Sequence, residues 1–115
     1  MEYLSLQSVI AATLPEKDLE IPEWGGWIKI RAISTKEMER ARRQSTDPRN
    51  ERVNDIEMAA RIVEMGCVEP EFAPGQYKLI MTKMAGVVTR ISDAIIDLSG
   101  LGGEEEAEAD LSGEE

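Results

Sequence analysis

Histidine is absent from the 115 residues, and cysteine occurs once, at Cys67. The first absence removes the commonest general base and metal ligand. The second rules out an internal disulfide, and with it the stapled scaffold of a small secreted domain. Aromatic residues make up only 4% of the chain, and no apolar run approaches the roughly 20 residues needed to cross a bilayer. The start, Met1-Glu2-Tyr3, has neither the positive region nor the cleavage pattern of a secretory signal. A soluble cytoplasmic chain with no membrane partner is therefore expected. Basic excess is missing too: 13 Lys and Arg face 23 Asp and Glu, a formal net charge of −10. That sign is opposite to the footprint on which nucleic-acid binding depends, so no nucleic-acid partner is expected.

The acidity is concentrated at one end. Residues 100–115 hold seven acids and no base, so residues 1–99 keep 16 acids against 13 bases, a net charge of −3. The length suits one domain. The division expected is an α-rich domain over residues 1–101 and a disordered acidic tail over 102–115.

Along the domain the hydrophobic period changes several times. Ser5 to Leu14 places Leu6, Val9, Ile10 and Thr13 at helical spacing and is stopped by Pro15; a helix that short is marginal unless it docks on something. From Asp18 to Ile33 the period is two, broken by the turn signal Glu23-Trp24-Gly25-Gly26. This reads as a β-hairpin near 18–33, with Ile28, Ile30 and Ala32 facing one way and Lys29 and Arg31 the other. Pro22 confines the first strand to an edge. Ser34-Thr35-Lys36-Glu37 fits a capping box, opening a polar helix to about Ser45 in which Glu39 is spaced to pair with Arg42 or Arg43.

Asp47-Pro48 looks like the start of the next helix, with Asp47 as N-cap. Its stripe would be Val53, Ile56, Ala60 and Val63, widened by Ala59 and Ile62, with Glu57 and Arg61 as an exposed pair and Gly66 as the stop. Cys67 to Pro74, with two prolines, reads as a loop. A last helix is expected from about Gln76 to Leu98, with Tyr77, Met84, Ile91 and Leu98 seven apart and a slight break at Gly86. The fold class expected is mainly α (α+β): about four helices, a small N-terminal β-hairpin and the tail.

Chemistry is sparse in this pattern. Cys67 has no histidine to activate it and reads as a small buried apolar group. Asp93 and Asp97 lie four apart on one helix, and Glu69 and Glu71 flank a proline, but solvation accounts for both pairs. Gly25-Gly26 and Gly102-Gly103 lack the context of a phosphate loop. No catalytic residue, no metal and no cofactor are expected. Arg40, Arg42, Arg43, Arg49 and Arg52 form a local basic cluster, but Glu37, Glu39, Asp47, Glu51 and Asp55 are interleaved and cancel most of its field. Trp24 and Trp27 bracket the Gly-Gly turn, where one of the two rings has room to serve as an exposed anchor. The heptad seam is either core or, where left uncovered, a face for a partner helix or a second copy.

The order of these pieces resembles the tail assembly chaperones of long-tailed bacteriophages, in particular the XkdN-like group. The likeness runs from the short N-terminal helix through Trp24-Gly25-Gly26-Trp27-Ile28-Lys29-Ile30-Arg31 and the polar helix opened by Ser34-Thr35-Lys36-Glu37. It continues with Gly66-Cys67-Val68-Glu69-Pro70 and the close Ile95-Ile96-Asp97-Leu98-Ser99-Gly100-Leu101, so that it covers about residues 3–101. The resemblance implies a non-enzymatic protein that binds the long, helical tape measure protein, keeps it soluble and helps bring tail tube protein to it. It further implies action in the host bacterial cytoplasm and absence from the mature virion. Many such chaperones also have a longer form made by a programmed frameshift, which here would fall around Leu101-Gly102-Gly103-Glu104. The alternatives are an adaptor retained in a virion-type assembly and an acidic mimic of nucleic acid. Expected exposure alone nominates the partner-binding residues: Trp24, Trp27, Tyr77, Met81, Met84 and Val88.

Overall fold

The alternation around the Gly-Gly turn folds as an antiparallel hairpin in the computed structural model, which describes residues 1–101. The acidic tail expected over 102–115 lies outside those residues. Strand β1 (Glu16–Ile21) and strand β2 (Gly26–Arg31) are joined by a single 3-10 turn over Pro22–Trp24. Gly25 closes that turn at φ 74°, donating its N–H to the Pro22 carbonyl, a left-handed conformation natural for glycine. Leu19 faces Ile28 and Lys17 faces Ile30. Ile28, Ile30 and Ala32 are buried, as their alternation requires.

A third strand, β3 (Cys67–Glu69), pairs antiparallel with β2, so the sheet order is β1-β2-β3 and β1 is an edge. The loop expected from Cys67 therefore begins as a strand. Three residues are too few to show a period of two, and the pairing exists only because the preceding helix returns the chain to β2.

Helix α1 (Leu6–Ala11) stands ahead of the sheet, N-capped by Ser5, whose hydroxyl accepts the Ser8 N–H. It buries no residue. Helix α2 (Thr35–Gln44) carries the expected capping box: the Ser34 hydroxyl accepts the Glu37 N–H at 3.1 Å, and the Glu37 carboxylate accepts the Ser34 N–H at 2.9 Å.

Helix α3 (Asp55–Gly66) begins seven residues later than expected. Its N-cap is Asn54, whose side chain accepts the Glu57 N–H, whereas Asp47 caps no helix. The Asp47 carboxylate instead accepts the Arg49 N–H, two residues on. That turn satisfies the same side-chain acceptor as an N-cap does. Val53, expected in the helical stripe, pairs with Thr46 in an isolated bridge across this loop. Helix α3 does end at Gly66, but through packing: a Cβ there would lie 2.6 Å from Ile95 Cδ1.

The expected last helix is two helices. Helix α4 (Tyr77–Ile80) is one turn, and helix α5 (Ala85–Leu98) follows after Met81–Met84. The break precedes Gly86, which lies inside α5. Thr82 closes the turn, its hydroxyl and its N–H both donating to the Leu79 carbonyl. Burial continues on both sides of the interruption, at Ile80 before it and at Val87, Val88, Ile91 and Ile95 after it. At the far end Gly100 (φ 79°) donates to Asp97 and Leu101 donates to Ile96, the paired bonds of a glycine-terminated helix.

The domain is thus mixed α and β, with five α-helices and a three-stranded antiparallel sheet among the described residues. The core is the inner sheet face (Ile21, Ile28, Ile30) sealed by α3 (Ala60, Ile62, Val63) and α5. Two ties fasten α5 to the sheet. The Ile33 N–H donates to Ser99 Oγ at 2.9 Å, and Arg90 grips the Glu23 carboxylate through two bonds of 3.0 and 2.6 Å. No helix among the described residues is long and apolar enough to cross a membrane.

Candidate functional site

Helices α3 and α5 each present an apolar row at i, i+3/i+4, i+7 spacing. On α3 the row includes Ile56, Ala59 and Ala60, flanked by Ile62; on α5 it is Ala85, Val88 and Ile96, with the small polar Ser92 between the last two. Where the two rows diverge, with Ile80 and Met81 at their joint, they bound a groove of about 390 Å³. Its floor is buried: Ala60, Ile62, Ile80, Val88 and Ser92. Its walls are open. Ile56 is 70% exposed and Met81 40%. Charges sit at the rim, on Asp55, Lys83 and Asp93. An apolar trough between two helices with a charged rim is the shape that receives the apolar face of a third helix. Methionine suits such a wall because its flexible thioether adapts to different occupants.

The six nominated residues are dispersed. Val88 and Met81 lie in the groove, as floor and wall. Met84 is the exposed N-cap of α5, directly before Ala85 of the groove. Trp24 and Trp27 are both exposed and belong to the hairpin. Trp27 stands on the outer sheet face opposite Glu20, over a shallow depression shared with Asp18, Lys29, Glu69 and Pro70. Tyr77 is engaged inside the domain. The Arg61 guanidinium lies 3.8 Å from its ring centroid, and its N–H donates to Glu64 Oε2 at 2.6 Å. Arg61 also bonds Glu57 Oε2 at 2.9 Å, so the pair expected to be exposed is partly buried beneath Tyr77. Ile56, Ala59 and Ile96 were not nominated. Their spacing was visible, but it reads as core until the neighbouring helix leaves the row uncovered.

Elsewhere the charged and sulfur-bearing groups are held by the fold. Burial pushes the Cys67 thiol up to about 11, so it is protonated near neutral pH. Arg31 clamps Glu37 with two bonds, of 2.9 and 2.7 Å, which pull the Glu37 carboxyl down to about 2. Within the basic cluster Arg43 pairs with Glu39, and Arg49 with Asp47. Arg40 instead donates to the Met65 sulfur at 3.3 Å. Asp93 and Asp97 are exposed on α5. Among the described residues no group of three His, Cys, Asp or Glu side chains is arranged to hold a metal.

The chain matches no protein-family model, and neither a curated protein nor a solved structure matches it.

Proposed function

We propose that this protein is a non-enzymatic assembly chaperone of a long-tailed phage or prophage, and that the α3–α5 groove holds an amphipathic helix of its client. The observation that carries the reading is the groove itself, open at Ile56 and Met81 over a buried floor. A long, helix-rich client aggregates through exposed apolar stripes, and seating one such stripe in the groove removes it from water. The resemblance over residues 3–101 is what supports the tape measure protein as that client. Tail tube protein would be recruited next, through a frameshifted longer form where one exists. On this reading the protein acts in the host bacterial cytoplasm and leaves before the virion is complete.

Co-expression with the very long helical protein encoded nearby tests this directly. The client should move from the pellet to the soluble fraction and co-purify. Ile56→Asp, which adds a charge at the groove wall without touching the core, should abolish the rescue. A client that stays insoluble with and without the wild-type chain refutes the proposal. Recovery of this chain by mass spectrometry from purified particles would favour the retained adaptor instead.

A further inference from the structure

Helix α2 carries the densest positive charge of the domain. Lys36, Arg40, Arg42 and Arg43 stand against Glu37 and Glu39, a net charge of +2, whereas the rest of residues 1–99 sums to −3 − 2 = −5. No other helix or strand among the described residues holds more than two basic residues. Lys36, Arg40 and Arg43 recur at i, i+4 and i+7 and so share one face; all three are exposed, as is Arg42. The interleaved acids expected to cancel this field do so only in part. Both carboxylate oxygens of Glu37 are turned onto Arg31, at 2.9 and 2.7 Å. Glu39 is taken by Arg43 and Asp47 by Arg49. Glu51 shares a depression with Arg42 and Arg43 but pairs with neither. Lys36, Arg40 and Arg42 make no ion pair among the described residues.

We propose that the carboxylates of residues 104–115 seat on this face of α2 within the same copy, so that the chain's acidic end covers its basic helix. Charge and position both single out this segment. It holds seven acids and no base, the complement of a face with three uncompensated cations. Its root lies beside α2: the Ile33 N–H donates to Ser99 Oγ at 2.9 Å, and Ser34, the next residue, caps the helix. Glu104 follows Ser99 by five residues, a reach of at most about 18 Å, and residues 102–115 can extend up to about 50 Å. Helix α2, ten residues long, measures only about 15 Å. Tethering decides between this tail and a neighbour's. A short tether gives an effective concentration in the millimolar range, about 100-fold above a solution of the chain at about 10 µM. Two whole copies, at −10 each, also repel one another. Single surface ion pairs are weak, so the contact exchanges, and an acidic surface of another protein reaches α2 by displacing the tail. This inference stands apart from the groove and its client.

Paramagnetic broadening from a nitroxide at Ser112→Cys, in the isotope-labelled full chain, provides the test. Cys67 is buried, so the label takes the new thiol. At about 10 mM salt, where the screening length is about 30 Å, the α2 amides should lose about half their intensity, as for a millimolar contact at millimolar effective concentration. Hairpin amides of residues 24–27 should keep theirs. At about 1 M salt, with screening over about 3 Å, the broadening should fall several-fold. Arg40→Glu combined with Arg42→Glu, both exposed, should abolish it with circular dichroism unchanged. Glutamine at 104, 105, 106 and 108 should do the same and alters no residue of the domain over 1–101. Broadening that is absent at low salt, spread evenly over the domain, or indifferent to either set of charge changes overturns the inference. So does equal broadening when the nitroxide sits on an NMR-silent copy mixed with the isotope-labelled chain, since the contact would then run between copies.

Discussion

Replacing Gly66 by alanine probes how closely α3 and α5 approach. An added Cβ would sit 2.6 Å from Ile95 Cδ1, 2.9 Å from Cγ2 and 3.0 Å from Cγ1, well inside the ~3.5–4.0 Å at which carbon atoms attract. Ile95 is fully buried and β-branched, so its χ1 is stiff and it has no vacant space to turn into. The helices must therefore move apart, a strain that costs about 1–3 kcal/mol in a packed core. Alanine's better helix propensity returns at most ~1 kcal/mol, and less at the last residue of a helix. The expected net loss is about 1–2 kcal/mol, or roughly 4–8 °C in Tm for each kcal/mol in a domain of this size. Urea unfolding followed by circular dichroism measures it. Ile95→Val removes Cδ1 and should cost ~0.5–1.5 kcal/mol alone, yet the double variant should lose about 1 kcal/mol less than the two single losses combined. An unchanged or raised midpoint for Gly66→Ala, or a strictly additive cycle, would refute this account of why glycine stands there.

Glu37→Gln should destabilise the domain by about 2 kcal/mol at neutral pH, since it breaks a partly buried, charge-assisted clamp. The folded-state pKa of Glu37 is depressed, so its contribution is present above the ordinary carboxyl value of 4.5 and is lost as the pH falls through about 2. Wild-type and variant stabilities should converge across that window, and parallel curves would refute the assignment. Ser45→Ala should be neutral or stabilise by up to ~1–2 kcal/mol, because the buried Ser45 Oγ has no hydrogen-bond partner among the described residues; a clear loss in urea titration would contradict it. Val88→Asp buries a charge in the groove floor and should unfold the chain, whereas Ile56→Asp, on the exposed wall, should change stability by no more than ~0.5 kcal/mol. Circular dichroism of the two variants separates floor from wall.

Much of the local structure was legible because its causes are local. The inward set Ile28, Ile30 and Ala32 follows from a period of two, and the Ser34–Glu37 capping box, the Glu39–Arg43 pair and the Glu57–Arg61 pair follow from helical spacing. The burial of Cys67 follows from the habit of a free cysteine to behave as a small apolar group. The start of α3 was misread because Asp47 and Asn54 offer the same capping chemistry; which of them precedes the helix depends on Val53 bridging back to Thr46. Propensity alone puts a helical break at Gly86, whereas the chain breaks at Met81–Met84, just after the buried Ile80.

The candidate groove was the least legible feature. Tyr77 and Val88 belong to one heptad pattern, yet Tyr77 is covered by Arg61 and Val88 floors an open trough. A stripe in the chain states that a face is apolar, because side-chain transfer free energies and helical period are properties of the residues themselves. Whether that face is sealed depends on how near the next helix comes. That distance was set by contacts between residues far apart in the chain, Gly66 against Ile95 and Glu23 against Arg90, which no local pattern encodes.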